Sequence, residues 1–232
     1  MAGLHALIFD VDGTLAETEE IHRLAFNAAF EARGLDWHWD PPLYKVLLSV
    51  TGGKERIRFY IDRYQPRGGE ALDEPAVAQL HADKTRRYGE MVAAGDVCLR
   101  PGVEALMCEA KAADLRLAIA TTTSLGNVAA LLNATLGDEA MGWFDVIGAG
   151  EHAERKKPAP DIYRWVLAKL QCDPSQALAI EDSENGLRAA RGAGITTLIT
   201  PSRYTEDDDF SGAARVVPNL ADVTLGELEA LL

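Results

Sequence analysis

The sequence predicts a doubly wound, mostly parallel α/β sheet carrying an inserted, small all-helical unit. Three observations predict it. Short apolar runs at 4–10, 115–121, 144–150 and 177–181 alternate with segments of helical period. Polar residues that can meet at one sheet edge close four of these stretches. Nothing between 17 and 94 reads as a strand ladder. The expected parts are a first core segment over 1–16, a helical cap over 17–94 and a second core segment over 95–232.

The elements follow in order. LHALIFD, residues 4–10, is an apolar run closing on an acid, the pattern of a central strand whose functional end is Asp10. DGT then makes a tight turn. Residues 19–33 form a helix with Ile21, Leu24, Ala25, Ala28 and Ala29 on one face, stopped by Gly34. Residues 36–50 hold a loop and a short helix, with Trp37 and Trp39 packing the cap. TGGKER, residues 51–56, opens a helix to about Tyr64; QPRGGE breaks the chain; residues 72–94 form a long helix. Pro101 marks the next helix start, with Val103, Leu106 and Met107 turned inward. A strand over 115–121, a helix over 127–136, a strand over 144–150 and a helix over 160–170 follow. A strand over 177–181, a helix through NGLRAARGAG, a strand in ITTLIT and a short one in ARVVPNL finish the sheet. The EDDD run at 206–209 reads as a solvated loop.

Composition excludes several functions. With 232 residues, 47% of them hydrophobic, the chain can bury one sizeable core and a smaller second one. No apolar run approaches the ~20 residues of a membrane span. The acids following the first apolar run leave no room for a secretory signal. Cys98, Cys108 and Cys172 are widely spaced and read as thiols of a reducing compartment. A net charge of -13 repels nucleic acid and anionic membrane but permits a phosphorylated small molecule in a locally basic pocket. The expected partner is a phosphorylated sugar, with no nucleic acid, no membrane and a monomeric chain. The expected site is the cytoplasm, or the chloroplast stroma for a mature form from a photosynthetic eukaryote.

The constellation points to phosphoryl transfer. Asp10 can attack phosphorus, and Asp12, two residues on, can reach the leaving oxygen. Asp-Val-Asp-Gly alone would also suit a calcium loop, but position 12 of such a loop is Ile21 where Glu is needed. Glu181 and Asp182 close another strand and offer oxygen ligands suited to Mg²⁺. Lys157, before Pro158, can balance both the Asp10 carboxylate and a phosphate; Lys156 beside it leaves open which lysine enters. Thr121, with the hydroxyls that follow it, can donate to phosphate oxygens. Gly52, Gly53 and Lys54 are either a grip for a second anion, with exposed backbone N–H groups and an added charge, or a glycine hinge and a solvated helix start. Arg56 either assists or pairs elsewhere. His22 is either a hydrogen-bonding site residue or a packed histidine under the cap.

FDVDGTL, LAIATTTS, KKPAPDIY and AIEDSENGLRAARGAG together resemble the four ordered motifs of the haloacid dehalogenase superfamily. The resemblance implies a Rossmann-like core with a helical cap. It also implies Asp10 as nucleophile, Asp12 as general acid/base, and Thr121 and Lys157 as phosphate partners. Mg²⁺ would be held by Asp10, the Asp12 carbonyl and Asp182, with Glu181 supporting them. DVDGTLAETEEIHRLAF, TGGKERI, RPGVE and ATTTSLGN are similar to the CbbY-like branch, related in build to beta-phosphoglucomutase. That branch implies hydrolysis of xylulose-1,5-bisphosphate, an inhibitor of Rubisco in the Calvin cycle, to xylulose 5-phosphate. Its substrate contacts would fall on Glu17, Thr51, Gly52, Gly53, Lys54, Thr122, Thr123, Ser124 and Asn127. Gly126 replaces a proline of that pattern and would loosen its loop. A hexose-phosphate mutase and a phosphoglycolate phosphatase are the alternatives on the same fold.

Overall fold

The computed structural model describes residues 3–95 and 97–232. Met1 and Ala2 of the first expected core segment, and Asp96 of the second, lie outside the described residues.

Six parallel strands form one sheet in the order β3-β2-β1-β4-β5-β6. They are β1 (Ala6–Phe9), β2 (Arg116–Ala120), β3 (Val146–Gly148), β4 (Ala177–Glu181), β5 (Thr196–Ile199) and β6 (Arg215–Val216). Strand side chains alternate between faces, and the residue sizes alternate with them. Leu7, Phe9, Leu117, Ile119, Leu178 and Ile180 enter one core, against α5 (Val103–Ala112), α6 (Leu125–Leu136) and α9 (Leu225–Glu229). Ala6, Ile8, Ala118, Ala120, Ala177 and Ala179 face the other way. The five alanines among them let α7 (Asp161–Leu170) pack close to the sheet, with α8 (Glu184–Gly192) beside it.

Between β1 and α5 run α1 (Glu19–Ala32), α2 (Pro41–Leu47), α3 (Gly53–Tyr64) and α4 (Glu74–Ala94). Phe26, Phe30, Trp37, Trp39, Tyr44 and Tyr60 form their separate aromatic core. Asp40 and Asp73 start α2 and α4 by accepting from the backbone N–H groups of Leu43 and Ala76.

Three sequence expectations need correction. Helix α1 buries His22, Ala25, Phe26, Ala29 and Phe30, while Leu24 is exposed. The Phe26/Phe30 pair, one turn apart, carries more apolar area than the leucine and sets the inward face. Helix α5 starts at Val103 rather than Pro101, because Gly102 at φ 85° takes the turn; a Cβ there would overlap the backbone at Leu220. Gly126 lies in the first turn of α6 and not in a loop, because Ser124 caps that helix by accepting from the Asn127 N–H. The EDDD run is the expected solvated loop, mostly exposed, with Asp208 accepting from the Glu184 N–H at 2.9 Å and the exposed Asp207 pairing with Lys45 at 2.6 Å.

Candidate active site

The carboxyl ends of β1, β2 and β4 and the loop after β3 converge beneath the cap. Asp10 follows β1, Thr121 follows β2, and Glu181 and Asp182 end β4; Lys157 arrives from the loop before α7. All five are buried. Gly13, at φ 83°, permits the turn after Asp12, and a Cβ on it would overlap the Asp182 carboxylate. That glycine therefore sets how closely the first and last acidic segments approach.

Lys157 settles between two carboxylates, 2.6 Å from Asp10 Oδ1 and 2.5 Å from Glu181 Oε1. Lys156 instead donates to the Gly150 carbonyl at 2.5 Å, so Lys157 is the lysine at the centre. Tyr163 also donates to Glu181 Oε1, at 2.5 Å, and the first turn of α8 passes so near this carboxylate that Gly186 has no room for a Cβ. Glu181 is thus fixed from three sides and aims Lys157 at Asp10.

The electrostatics show a deficit of positive charge. Burial, and next the Glu181 charge, raise Asp10 to about 8 against the pull of Lys157. Burial, then Asp10 and Glu181, push Asp182 well above the carboxylate range. Burial alone would lower Lys157, but Asp10 and Glu181 outweigh it and hold the ammonium above its ordinary value. Oxygen atoms of Asp10, Glu181 and Asp182 lie within 4.8 Å of one another. Three clustered carboxylates facing one lysine fit a divalent cation, which would relieve this repulsion. Since Glu181 is occupied by Lys157 and Tyr163, Asp10 and Asp182 are the side chains suited to hold it.

Asp12 is held differently. Burial would raise it, but His22, Thr18 and Lys84 bring it down to about 2. Its Oδ1 accepts from Thr18 Oγ1 at 2.5 Å and lies 2.9 Å from His22 Nε2. His22 Nδ1 lies 2.5 Å from Lys84 Nζ, and the imidazole stacks on Tyr88 at 4.0 Å between centroids. With Lys84 donating to Nδ1, the imidazole carries its proton on Nε2 and donates it to Asp12. His22 thus combines features of both readings: it hydrogen-bonds Asp12, and it is buried and stacked under the cap.

Two adjoining cavities, each of about 420 Å³, meet at Asp12, Glu19, Arg56 and Thr122. One contains Asp10, Thr51, Thr121, Lys157 and Asp182. The other contains His22, Gly52, Gly53, Lys54, Thr123, Ser124 and Asn127. Some of these side chains are already engaged: Asn127 donates to Thr123 Oγ1 at 2.8 Å, and Thr121 Oγ1 accepts from the Thr123 N–H at 3.1 Å. Glu17 lines neither cavity; it is exposed and faces Arg100 at 3.4 Å. Arg56 lines both but donates to Tyr44 and to the Leu47 and Val50 carbonyls, bracing the turn ahead of TGGK. Trp37 and Trp39 pack the cap core.

Sequence reasoning missed Lys84, His81 and Arg100. Lys84 had a signal: it falls on the stripe Val77, Leu80, Lys84, Tyr88 and Val92, the buried face of α4. A lysine on such a stripe needs a partner. Arg100 had none. It sits in the return linker and donates to four backbone carbonyls, those of Gly13, Thr200, Pro201 and Pro218.

Residues 4–194 match the family model of haloacid dehalogenase-like hydrolases. The chain is 50% identical over 228 residues to the protein CbbY of Cereibacter sphaeroides, covering 98% of this chain and 96% of that one. It is 52% identical to the plasmid-borne CbbY of Cupriavidus necator, covering 94% and 87%. A crystal structure of the D10N mutant of CbbY from Rhodobacter sphaeroides, in complex with xylulose-(1,5)bisphosphate, superposes with a TM-score of 0.93. That pair is 47% identical, with 97% of this chain and 99% of that chain covered. A beta-phosphoglucomutase from Clostridium difficile, 19% identical over 98% of this chain and 96% of its own, shares the fold at a TM-score of 0.81.

Proposed function

The chain belongs to the haloacid dehalogenase-like hydrolases, and from that premise we propose that it removes the carbon-1 phosphate of xylulose-1,5-bisphosphate through a phosphorylated Asp10. The observation that carries this reading is the pairing of Asp10 with Lys157 beside Asp182, at the floor of a cavity that opens into a second, basic one. The first cavity suits the transferred phosphoryl group. The second, with Lys54 and the Gly52–Gly53 turn, suits the phosphate that remains.

In the first half of the reaction the Asp10 carboxylate attacks phosphorus. Lys157 and Thr121 balance the phosphoryl oxygens, and Asp12, once protonated beside the anionic substrate against the pull of His22 and Thr18, gives its proton to the departing sugar oxygen. In the second half Asp12, now ionised, takes a proton from water as the water attacks the aspartyl phosphate, releasing inorganic phosphate and restoring Asp10. The hydrogen bonds from Thr18 and His22 favour this ionised state and fix its direction. Asp10, Asp182 and the Asp12 carbonyl would hold Mg²⁺. The ion would supply charge neutralisation between nucleophile and phosphate.

The test is phosphate release from a panel of sugar mono- and bisphosphates, with and without Mg²⁺. Xylulose-1,5-bisphosphate is expected to give the highest kcat/KM, with one phosphate and one xylulose 5-phosphate per turnover. A phosphate-retaining isomerisation of a hexose phosphate would replace this reading by the mutase. A preference for phosphoglycolate would replace it by that phosphatase.

A further inference from the structure

One short turn of the core touches the metal-binding acids and the cap at once. It spans residues 200–205, directly after β5, and begins where the Thr200 N–H donates to the Glu181 carbonyl at 2.7 Å. Arg100 holds its first two residues through the Thr200 and Pro201 carbonyls, at 2.7 and 2.8 Å. The side chains beyond them, Ser202, Tyr204 and Thr205, have no part in the phosphoryl transfer itself.

Thr205 uses every capacity of its hydroxyl. A hydroxyl has one proton to give and two lone pairs to offer. Thr205 Oγ1 lies 2.7 Å from the Asp182 carbonyl oxygen, 2.9 Å from the Ser202 backbone nitrogen and 3.0 Å from Ser202 Oγ. The carbonyl can only accept, so the Thr205 proton goes to Asp182. The Ser202 N–H and the Ser202 hydroxyl then donate to the two lone pairs. Asp182 stands one residue past the end of β4, so this bond fixes how its carboxylate leaves the sheet. Asp182 Oδ2 lies 3.5 Å from the same hydroxyl. Ser202 is buried, and a Cβ on Gly13 would come within 3.0 Å of its own Cβ, so the turn after Asp12 packs on the same spot.

Tyr204, the neighbouring residue, reaches into the cap. Its ring joins the aromatic cluster of the cap helices and meets Tyr44 edge-on, 5.7 Å between centroids. Its hydroxyl donates to Glu20 Oε2 at 2.6 Å. Glu20 is held in turn by Arg23, which donates to the Trp39 carbonyl at 2.6 Å. A movement of α1 and α2 is therefore carried to Tyr204, and one peptide further to the hydroxyl that fixes Asp182.

We propose that Thr205 is a positioning residue for Asp182 and that Tyr204 ties it to the cap, so that Mg²⁺ affinity depends on where the cap stands. The inference rests on the Mg²⁺ ligand set of Asp10, Asp182 and the Asp12 carbonyl. Linkage makes the coupling reciprocal: a bound ion steadies the turn, and through it the cap.

The measurement is a calorimetric Mg²⁺ titration of the protein without substrate. Thr205→Val keeps the shape and loses the hydroxyl. It should weaken Mg²⁺ binding about 10- to 100-fold, the range for a group that orients a metal ligand. Thr205→Ser keeps the hydroxyl and loses the methyl, and should bind Mg²⁺ nearly as the wild type does. Tyr204→Phe leaves the ring in the cap and removes only the bond to Glu20; it should weaken Mg²⁺ by about 5-fold or more. Wild-type affinity in Thr205→Val, or a loss that serine does not rescue, overturns the positioning role. Wild-type affinity in Tyr204→Phe overturns the tie to the cap. A wild type that binds no Mg²⁺ overturns the ligand set and this inference with it.

Discussion

Lys84→Met should make the protein more stable and less active, and the stability gain should depend on pH. Lys84 is buried on the apolar stripe of α4, where desolvation brings it from 10.5 to about 7 despite the nearby Asp12. The unfolded chain therefore binds one more proton than the folded chain between these values. Stability rises with pH across that window. The cost of folding around this ammonium is fully present below about pH 7 and vanishes toward 10.5. At 1.36 kcal/mol per unit, the shift amounts to at most about 5 kcal/mol. Methionine fills similar space but forfeits the bond to His22 and the contacts of Nζ with the Phe26 and Tyr88 rings, 4.8 and 5.2 Å to the centroids. Subtracting these leaves a gain of roughly 2–4 kcal/mol. Urea unfolding of both proteins from pH 6 to pH 10 reads it directly. The gap should be widest at pH 6 and close as pH rises. Phosphate release should fall at least ~10-fold, because His22 loses the donor that fixes its proton toward Asp12. A gap independent of pH, or a mutant less stable at pH 6, would refute the assignment of Lys84 as a destabilising functional cation.

Three further outcomes are expected. Asp10→Asn should lower phosphate release by ~10⁴-fold or more without lowering the melting temperature, since an amide cannot form the aspartyl phosphate and one repelling carboxylate is gone. Asp182→Ala should weaken Mg²⁺ binding in a calorimetric titration and activity with it; unchanged affinity would remove Asp182 from the ligand set. Lys54→Ala should reduce kcat/KM roughly 10- to 150-fold more for xylulose-1,5-bisphosphate than for xylulose 1-phosphate, and a proportional loss on both would return Lys54 to a general closing role.

The core was legible because its signals are local. Each buried strand is an apolar run, and at Asp10 and Glu181 the run ends abruptly in acid. The breaks at Gly34 and QPRGGE made the cap helices equally readable. What the sequence withheld depends on partners distant along the chain. Leu24 reads as inward until Phe26 and Phe30 claim the inner face. Lys156 and Lys157 are indistinguishable until the loop fold sends one to Gly150 and the other to Asp10. Glu17 carries no mark of Arg100, which comes from the far linker. Helix α9 was overlooked although Thr224 and Glu227 form a capping box at its start, because only its short length follows.

The contacts joining cap to core explain why so many polar groups surround a site whose chemistry needs few. Arg100 gathers carbonyls from the turn after β1 and from the segments after β5 and β6, and its Nε faces Glu17 at the entry to the cap. Both linkers are thereby referred to one guanidinium. Farther out, Lys45 pairs with Asp207, Tyr204 donates to Glu20 at 2.6 Å, and Asn185 donates to Thr51 at 3.3 Å. The Lys45–Asp207 pair is exposed, and such pairs contribute only about 0–1 kcal/mol each. Apolar contacts lie beside it: Tyr204 packs edge-on against Tyr44 at the cap's aromatic core, and Ala130 of α6 packs against Tyr88 and Val92 of α4. In the proposed reading the substrate's second phosphate would meet Lys54 on α3 as its first meets Lys157 on the core, so that the substrate itself would bridge the two sides of the site.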